Sequence, residues 1–269
     1  MENKIVFIDK NNYEKRAVAI LRHTGNLRLV GETGTGKTTF VHYLCQKYNW
    51  KLYEISLTSD TTRWDLVAQD ILVKGETKVR KGIVTRWIED KDKNYDAIVL
   101  YLDELNYADP SVLSLLNSLS DFRKELYIPE LNKTLYRSEK HYIIVSYNPS
   151  EVSGYTGTFK VNIAQLRRFE GLIFRWLNAF VEIGYLKDKL IEYGVTKTRA
   201  YNLAKKLVDN AQRTRIAYVQ GQISFPVTTG NLLNYCRLLA NGLDLDDIKE
   251  LVLSFYPYEE QKKVRELWV

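Results

Sequence analysis

Hydrophobic positions along the chain follow two different patterns. In the first two thirds, short and continuous apolar runs such as Leu27–Val30, Ala97–Leu102 and Tyr142–Ser146 alternate with segments of helical period. Continuous runs of this kind are typical of parallel strands that are buried on both faces. The pattern predicts an α/β domain over residues 1–179, with helices on both faces of a parallel sheet. Ile5–Ile8 is predicted as an additional leading strand.

From about Phe180 the pattern becomes helical. The segments with helical periodicity are Tyr185–Tyr193, Lys197–Arg213, Gly230–Asn241 and Asp246–Phe255. Gly194 and Gly242 follow two of these segments and are typical residues at helix C-termini. Residues 180–269 are therefore predicted to form a small α-helical domain.

A glycine-rich loop lies between the first apolar run and the helical segment after it. Residues 31–38 read GETGTGKT and match the pattern G-x-x-x-x-G-K-[ST]. Such a loop holds nucleotide phosphates through its backbone N–H groups and the positive end of the helix. Lys37 is expected to reach the β- and γ-phosphates, and the Thr38 hydroxyl to bind Mg²⁺. The predicted nucleotide-binding residues are Gly31, Glu32, Thr33, Gly34, Thr35, Gly36, Lys37, Thr38 and Thr39.

Polar residues suited to phosphate chemistry follow two later apolar runs. Asp103 and Glu104 come directly after AIVLYL, roughly 65 residues beyond the loop lysine and threonine. The aspartate can hold Mg²⁺, and the glutamate can polarise a water molecule for attack on the γ-phosphate. Asn148 follows YIIVSY and can orient that water. On the local pattern alone, an Asn-Pro turn is the stronger interpretation of Asn148.

Two adjacent arginines, Arg167 and Arg168, stand before Phe169 in AQLRRF. A guanidinium in so late a loop is better placed to reach the nucleotide of a neighbouring subunit than its own. Supplied in trans, it stabilises the charge that develops in phosphoryl transfer. Taken alone, such a pair is more often surface charge.

Composition places few limits on function. The 269 residues are 45% hydrophobic and 27% charged, which is ordinary for a globular protein, and no apolar run reaches membrane-spanning length. Cys45 and Cys236 lie far apart, and the N-terminus lacks a secretion signal pattern. We therefore expect a cytoplasmic protein with two buried thiols. The net charge of +6 permits nucleic-acid binding without requiring it.

Four motifs in this order, GETGTGKT, YLDE, VSYNP and AQLRRF, make the chain resemble an AAA+ ATPase of the MoxR and dynein-related branch, especially its CbbQ/NirQ/NorQ-type members. The resemblance spans about residues 26–169. It implies a P-loop fold of three α/β/α layers, a parallel five-stranded sheet in the order 5-1-4-3-2, and a small α-helical lid. It further implies a hexameric ring that uses ATP and Mg²⁺.

The resemblance also implies roles for the motif residues. Lys37 and Thr38 correspond to the Walker A lysine and threonine, and Asp103 and Glu104 to the Walker B metal carboxylate and catalytic base. In the same way, Asn148 corresponds to the sensor-1 residue and Arg168 to the arginine finger. Arg167 falls where such proteins commonly have an aspartate or a second arginine. Where the family usually has a sensor-2 arginine, this chain has Gly230 or Asn231, and Arg237 lies about two turns later.

Two insertions fit the hairpins that the family adds to its nucleotide domain. They lie near residues 65–84 and 126–136, and in family members they face the ring pore or the partner. The first carries four cations, Lys74, Lys78, Arg80 and Lys81. These cations are either solvated charge on a surface loop or the lining of an electropositive pore.

The leading functional hypothesis is an ATP-hydrolysing ring that remodels a protein partner. MoxR-type relatives commonly act with a partner that bears a von Willebrand factor A domain. A nucleic-acid motor is an alternative because of the basic charge, and a nucleotide-binding scaffold with weak hydrolysis is another because the sensor-2 arginine is missing. A metabolite kinase is disfavoured by Glu104, Asn148 and Arg168 together.

Overall fold

The computed structural model describes residues 5–148 and 165–269 of the chain. Its helices are α1 (Tyr13–Thr24), α2 (Lys37–Lys47), α3 (Arg63–Leu66), α4 (Ile83–Glu89), α5 (Pro110–Ser120), α6 (Ala179–Glu192), α7 (Lys197–Val219), α8 (Thr229–Ala240), α9 (Leu245–Ser254) and α10 (Tyr258–Leu267). Its strands are β1 (Asn26–Val30), β2 (Trp50–Ser56), β3 (Ala68–Val73), β4 (Glu76–Lys81), β5 (Ala97–Asp103), β6 (Glu125–Ile128), β7 (Lys133–Tyr136), β8 (His141–Tyr147) and β9 (Glu170–Ile173).

Five strands form one parallel sheet in the order β2-β5-β8-β1-β9. Counted among themselves in chain order, these strands give the expected sequence 5-1-4-3-2, read from the opposite edge. The predicted sheet and its strand order are therefore confirmed. Because all five strands are parallel, their carboxyl ends lie along one edge, where ligands bind in open α/β sheets.

Strand β5 lies inside the sheet, between β2 and β8, and its sequence is continuously apolar over residues 97–102. Alternate side chains enter two hydrophobic cores: Ile98, Leu100 and Leu102 enter one, and Ala97, Val99 and Tyr101 enter the other. Residues of α4 and α5 complete the first core, and residues of α1 and α2 complete the second. Since helices cover both faces, residues 97–102 of this strand are all buried, and only Asp103 at its end is partly exposed. The predicted three-layer arrangement is confirmed.

The predicted leading strand at Ile5–Ile8 is wrong, because this segment pairs with no strand of the sheet. The Ile5 N–H instead donates to Gln46 Oε1 at 2.8 Å. The Phe7 ring packs against Phe40 of α2, with 4.8 Å between ring centroids. The Phe7 side chain thus packs on a helix, and the segment does not extend the sheet.

Two antiparallel hairpins interrupt the α/β pattern. Strands β3 and β4 pair within the first predicted insertion, and every residue of β4 is exposed. Strands β6 and β7 pair within the second, where Leu126, Ile128 and Leu135 are buried in the core that α4 and α5 cover. The first hairpin is therefore solvated along one whole strand, whereas the second is anchored to the domain.

The chain divides into two compact units. The first holds residues 5–31, 36–148 and 165–174 of the described chain, and the second holds residues 32–35 and 175–269. Helices α6–α10 of the second unit surround a separate hydrophobic core. Sequence periodicity missed α10, whose residues are mostly charged and which buries only Val264 within its span.

Candidate nucleotide-binding site

The phosphate loop joins β1 to α2 and bends through left-handed backbone. Gly34 and Gly36 have φ values of +75° and +89°, which residues with a Cβ seldom adopt. The N–H and hydroxyl of Thr35 both donate to the Glu32 carbonyl, at 3.3 and 2.8 Å, and close a tight turn. Lys37 begins α2, so the N–H groups at the positive end of the helix directly follow the loop. This backbone is suited to binding an anion.

The tip of the loop, residues 32–35, belongs to the second unit. Within that unit, Trp176 Nε1 donates to the Thr33 carbonyl at 3.1 Å, and the Tyr218 hydroxyl donates to the Glu32 carboxylate at 3.2 Å. Thr33 itself is exposed, as is Thr39 in the first turn of α2.

Lys37 brings together two parts of the predicted site. Its side chain is buried, and Nζ donates to the Gly31 carbonyl at 2.6 Å and to Asn148 Oδ1 at 2.8 Å. Asn148 follows β8, and the Asn148 N–H donates to Asn106 Oδ1 at 3.4 Å. The amide that the local sequence pattern assigns more readily to a simple turn thus lies directly beside the loop lysine.

Asp103 lies at the end of β5 in a cluster of hydrogen-bond donors. The Thr38 hydroxyl donates to Oδ2 at 2.8 Å, the Ser146 hydroxyl donates to Oδ1, and the Glu104 N–H donates to Oδ1 at 2.9 Å. The Tyr101 hydroxyl donates to Ser146 Oγ at 3.1 Å. Burial raises the pKa of Tyr101, so it remains a neutral donor. Both oxygens of the carboxylate are therefore held in place.

The chemistry of these donors fits a magnesium ion. Mg²⁺ is bound by oxygen ligands, usually through one or two carboxylates with phosphate and water oxygens completing the shell. A hydroxyl and a carboxylate oxygen, from Thr38 and Asp103, already lie 2.8 Å apart beside the phosphate loop. They are the two residues that would hold the ion.

Glu104 has a backbone conformation that is unfavourable for its residue type. Its φ is +57°, in the left-handed region, which costs about 1–3 kcal/mol for a residue other than glycine. The side chain is partly buried and accepts a hydrogen bond from Ser56 Oγ at 3.3 Å. Strained residues of this kind cluster at functional sites.

Arg167 and Arg168 lie in the 3₁₀ turn Gln165–Arg168, and both are exposed. Arg168 Nη1 donates to Asn117 Oδ1 on α5 at 3.2 Å. The structure thus brings Lys37, Thr38, Asp103, Glu104 and Asn148 into one hydrogen-bonded region and leaves the two arginines facing solvent. Pro149 and Ala164, which belong to the same sequence motifs, lie outside the described residues.

Comparison with protein families agrees with this geometry. The model of the AAA domain, dynein-related subfamily, matches residues 26–169, which is more than half of the 269 residues. The chain belongs to this AAA family. The matched segment begins at β1 and ends directly after the turn that carries Arg168, so it contains every residue of the site. The resemblance found in the sequence is confirmed.

Curated relatives extend the match into the second unit. The chain is 29% identical to the denitrification regulatory protein NirQ of Pseudomonas aeruginosa over 224 residues, covering 83% of this chain and 79% of NirQ. It is 30% identical to the protein NorQ of Paracoccus denitrificans over 220 residues, covering 81% of this chain and 74% of NorQ. It therefore resembles the NirQ/NorQ type over most of its length.

A solved structure supports the fold of this AAA protein. A crystal structure from Cytophaga hutchinsonii ATCC 33406, described as a candidate ATPase, superposes with a TM-score of 0.52 at 19% identity, covering 97% of this chain and 81% of the other. At that identity the likeness concerns the fold alone. Within the described residues, no helix combines the length and apolarity required to cross a bilayer.

At the expected sensor-2 position of this AAA protein, the residues are used for helix capping. Thr228 is the N-cap of α8, and the Asn231 side chain accepts from the Thr228 N–H and hydroxyl at 3.0 and 2.6 Å. Gly230 lies between them. Arg237 lies in the last turn of α8, is exposed, and donates to the Tyr193 hydroxyl at 3.2 Å. The chain thus uses the start of this helix to build a capping box.

Sequence reasoning missed Ser56 and Ser146. Each is a small polar residue at or next to the end of its strand, which is a weak signal that could have been used. Their contacts with Glu104 and Asp103 depend on β2 and β8 being the two neighbours of β5. Local sequence does not encode which strands are neighbours.

Proposed function

We propose that this AAA protein binds ATP with Mg²⁺ and hydrolyses it. The observation that carries the proposal is the convergence of Lys37, Thr38, Asp103, Glu104 and Asn148 on one edge of the sheet, next to a left-handed glycine loop. A phosphate-binding backbone, a cation, a metal carboxylate, a second carboxylate and an amide are the parts that phosphoryl transfer to water requires.

Each side chain has a separate task in this proposal. Lys37 neutralises charge on the terminal phosphates, and Thr38 with Asp103 holds the ion. Bound Mg²⁺ supplies a positive charge that bridges phosphate oxygens. Glu104 accepts the proton of the attacking water and Asn148 orients that water. Ser56 donates to Glu104 at 3.3 Å and so helps to orient this carboxylate.

The ring is a second part of the proposal. Arg168 is exposed and held on Asn117, so its guanidinium is available to a neighbouring subunit. We propose a hexamer in which Arg168, assisted by Arg167, completes the site of the next subunit. A guanidinium supplied in trans can contribute about 10³- to 10⁵-fold to turnover. The ring is proposed to remodel a protein partner, with a von Willebrand factor A domain as the first to test.

The test begins with phosphate release from ATP, with and without Mg²⁺. The variant Glu104→Gln should bind ATP normally and lose turnover by more than about 100-fold, because it removes the base and keeps the side-chain shape. Glu139→Gln changes an exposed glutamate of the same unit and serves as the matched control. Full turnover by Glu104→Gln, or none by the wild-type protein with Mg²⁺, would refute hydrolysis at this site.

Assembly is tested by measuring particle mass with ATP bound to Glu104→Gln. A hexamer is expected, and Arg168→Ala should retain ATP affinity while losing turnover. A fully active single subunit would exclude the trans arrangement. Retained ATP binding without any phosphate release would instead favour the nucleotide-binding scaffold.

A nucleic-acid-directed motor is the second candidate, favoured by the exposed strand β4. Its cations are only partly neutralised: Lys81 pairs with Glu89 at 2.6 Å and Lys78 with Glu76 at 3.7 Å. DNA should then stimulate phosphate release, with a steep decline as salt rises. An identical rate with and without DNA would remove this candidate.

A further inference from the structure

A buried arginine lies in the interior of the first unit. Arg137 is 6% exposed, and among the described residues no acidic side chain pairs with it. Its guanidinium donates to the His141 carbonyl at 2.8 Å, the Leu119 carbonyl at 3.0 Å, the Gly25 carbonyl at 2.6 Å and Asn26 Oδ1 at 2.6 Å. Burial lowers the pKa of this guanidinium to about 10. A buried cation that binds only neutral oxygens is costly and needs an explanation.

Asn26 extends this cluster to the turn that carries the two exposed arginines. Asn26 is 4% exposed, and its Nδ2 donates to the Ser120 carbonyl at 3.1 Å and to the Arg168 backbone carbonyl at 3.2 Å. Because Asn26 Oδ1 accepts from Arg137, one amide connects the buried guanidinium to the backbone of Arg168. The backbone of Arg168 is thus held by Asn26 and its side chain by Asn117.

The same cluster is joined to the second hairpin. Arg137 directly follows β7, and its N–H donates to the Lys124 carbonyl at 2.8 Å, which closes the base of the β6–β7 hairpin. The Leu119 and Ser120 carbonyls belong to the last turn of α5, whose Asn117 holds the Arg168 side chain. Two hydrogen bonds, from Arg137 Nη1 to Asn26 Oδ1 and from Asn26 Nδ2 to the Arg168 carbonyl, therefore join the residue after the hairpin to the Arg168 turn.

The backbone at Gly25 lies directly against this guanidinium. Its φ is +74°, and a Cβ at this position would collide with Arg137. The residue before β1 is therefore one that leaves room for the arginine.

We infer that Asn26 and Arg137 are positioning residues for Arg168, and that they couple the second hairpin to the arginine supplied to the neighbouring subunit. This inference rests on the proposed function, in which Arg168 acts in trans. Asn26 begins β1, at the opposite end of that strand from the phosphate loop, so Asn26 and Arg137 act by setting where the Arg168 backbone lies. Hairpin movement on a bound partner would then alter turnover in the adjacent site.

The decisive variant is Asn26→Asp. It retains an oxygen for Arg137 to bind, but it replaces the donor to the Arg168 and Ser120 carbonyls with an oxygen that repels them. Arg137→Lys is the second variant, because one ammonium cannot reach all four oxygens that the planar guanidinium binds. Ser120→Ala is the matched control: its hydroxyl donates to the Leu116 carbonyl, so the buried location is the same and the Arg168 connection is intact.

Rings that contain two different variants distinguish a displaced Arg168 from a loss of folding or of the subunit's own active site. A Glu104→Gln subunit has an intact arginine but an inactive site, whereas an Asn26→Asp subunit should have an intact site but a displaced arginine. Rings made only of Glu104→Gln or only of Asn26→Asp subunits should show turnover as low as that of Arg168→Ala. Their ATP affinity should be unchanged within about twofold. An equal mixture should recover about a quarter of wild-type turnover, since about that fraction of interfaces pairs an active site with an intact arginine. Ser120→Ala should remain active without mixing.

The outcomes distinguish the inference from the function on which it rests. Arg168→Ala mixed with Glu104→Gln is the reference: if this mixture stays inactive, the trans arginine is wrong and the inference falls with it. Turnover could recover in this mixture but not when Asn26→Asp or Arg137→Lys is mixed with Glu104→Gln. Both residues would then serve folding or the active site of their own subunit, and the inference alone would be overturned. Full activity of unmixed Asn26→Asp would overturn it as well.

Discussion

A buried ion pair in the second unit provides a quantitative test of how the helical part is held together. Glu182 of α6 and Arg215 of α7 are 0% and 1% exposed, and two hydrogen bonds of 2.7 and 2.9 Å join them. The Thr229 hydroxyl also donates to Glu182 at 2.6 Å, and Arg215 Nε donates to the Val227 carbonyl at 2.9 Å. The pair thus ties α6 and α7 to the start of α8.

The expected loss in the free energy of unfolding depends on the charged group that each substitution leaves buried. Arg215→Met leaves a buried carboxylate with one neutral donor, and Glu182→Gln leaves a buried guanidinium with neutral acceptors only. Removing one partner of a buried pair costs about 3–5 kcal/mol. The double variant Glu182→Gln/Arg215→Met contains neither charge, so it should cost less than the sum of the single variants by about 2 kcal/mol or more.

Hydrogen exchange measured by mass spectrometry is the suitable assay, because it reports opening of α6–α8 separately from the nucleotide domain. Each single variant should raise exchange of the core amides of α7 by more than about a hundredfold, since every 1.4 kcal/mol is about tenfold. The control is Glu250→Gln/Arg265→Met, which removes a pair that is 64% and 55% exposed and 3.1 Å apart. That change should cost less than about 1 kcal/mol.

Two results would refute the reasoning about this pair. One is a cost below about 1 kcal/mol for both single variants, which would mean that water reaches the site. The other is a double variant that costs the full sum, which would mean that the two charges do not compensate each other.

Two further predictions concern the first unit. His141 donates or accepts at both ring nitrogens, toward Ser138 and the Asp90 carbonyl, and burial lowers its pKa below the usual 6.5. The unfolded chain therefore binds the extra proton more readily than the native protein. The contribution of His141 to the free energy of unfolding should be complete above about pH 6.5 and fall as the pH drops through the native pKa. Denaturation midpoints measured against pH should show this dependence, and His141→Asn should weaken it. Ser146→Ala removes a donor to Asp103 and should raise the Mg²⁺ concentration needed for half-maximal turnover by about tenfold. A magnesium titration of phosphate release measures this concentration. An unchanged value would show that the Ser146 hydroxyl does not orient this carboxylate.

Much of the fold and part of the site could be predicted from local sequence. The phosphate loop requires left-handed backbone at particular spacings, and only glycine adopts it freely, so GETGTGKT is informative without any tertiary contact. The run at 97–102 indicates a strand covered on both faces, since each of its side chains must leave water. Asp103 and Glu104 follow that strand directly, and their position at the sheet edge follows from the strand.

The contacts between strands and helices depended on the tertiary structure. Whether Asn148 is a turn residue or a neighbour of Lys37 was undecided in the sequence and depends on β8 lying beside β1. The hydrogen bond between Arg137 and Asn26 spans 111 positions, and the two between Arg215 and Glu182 span 33. Residue type predicts local backbone because its steric limits act within a few residues. It does not predict which distant polar group will satisfy a buried charge, because that choice is made only when the sheet and helices pack.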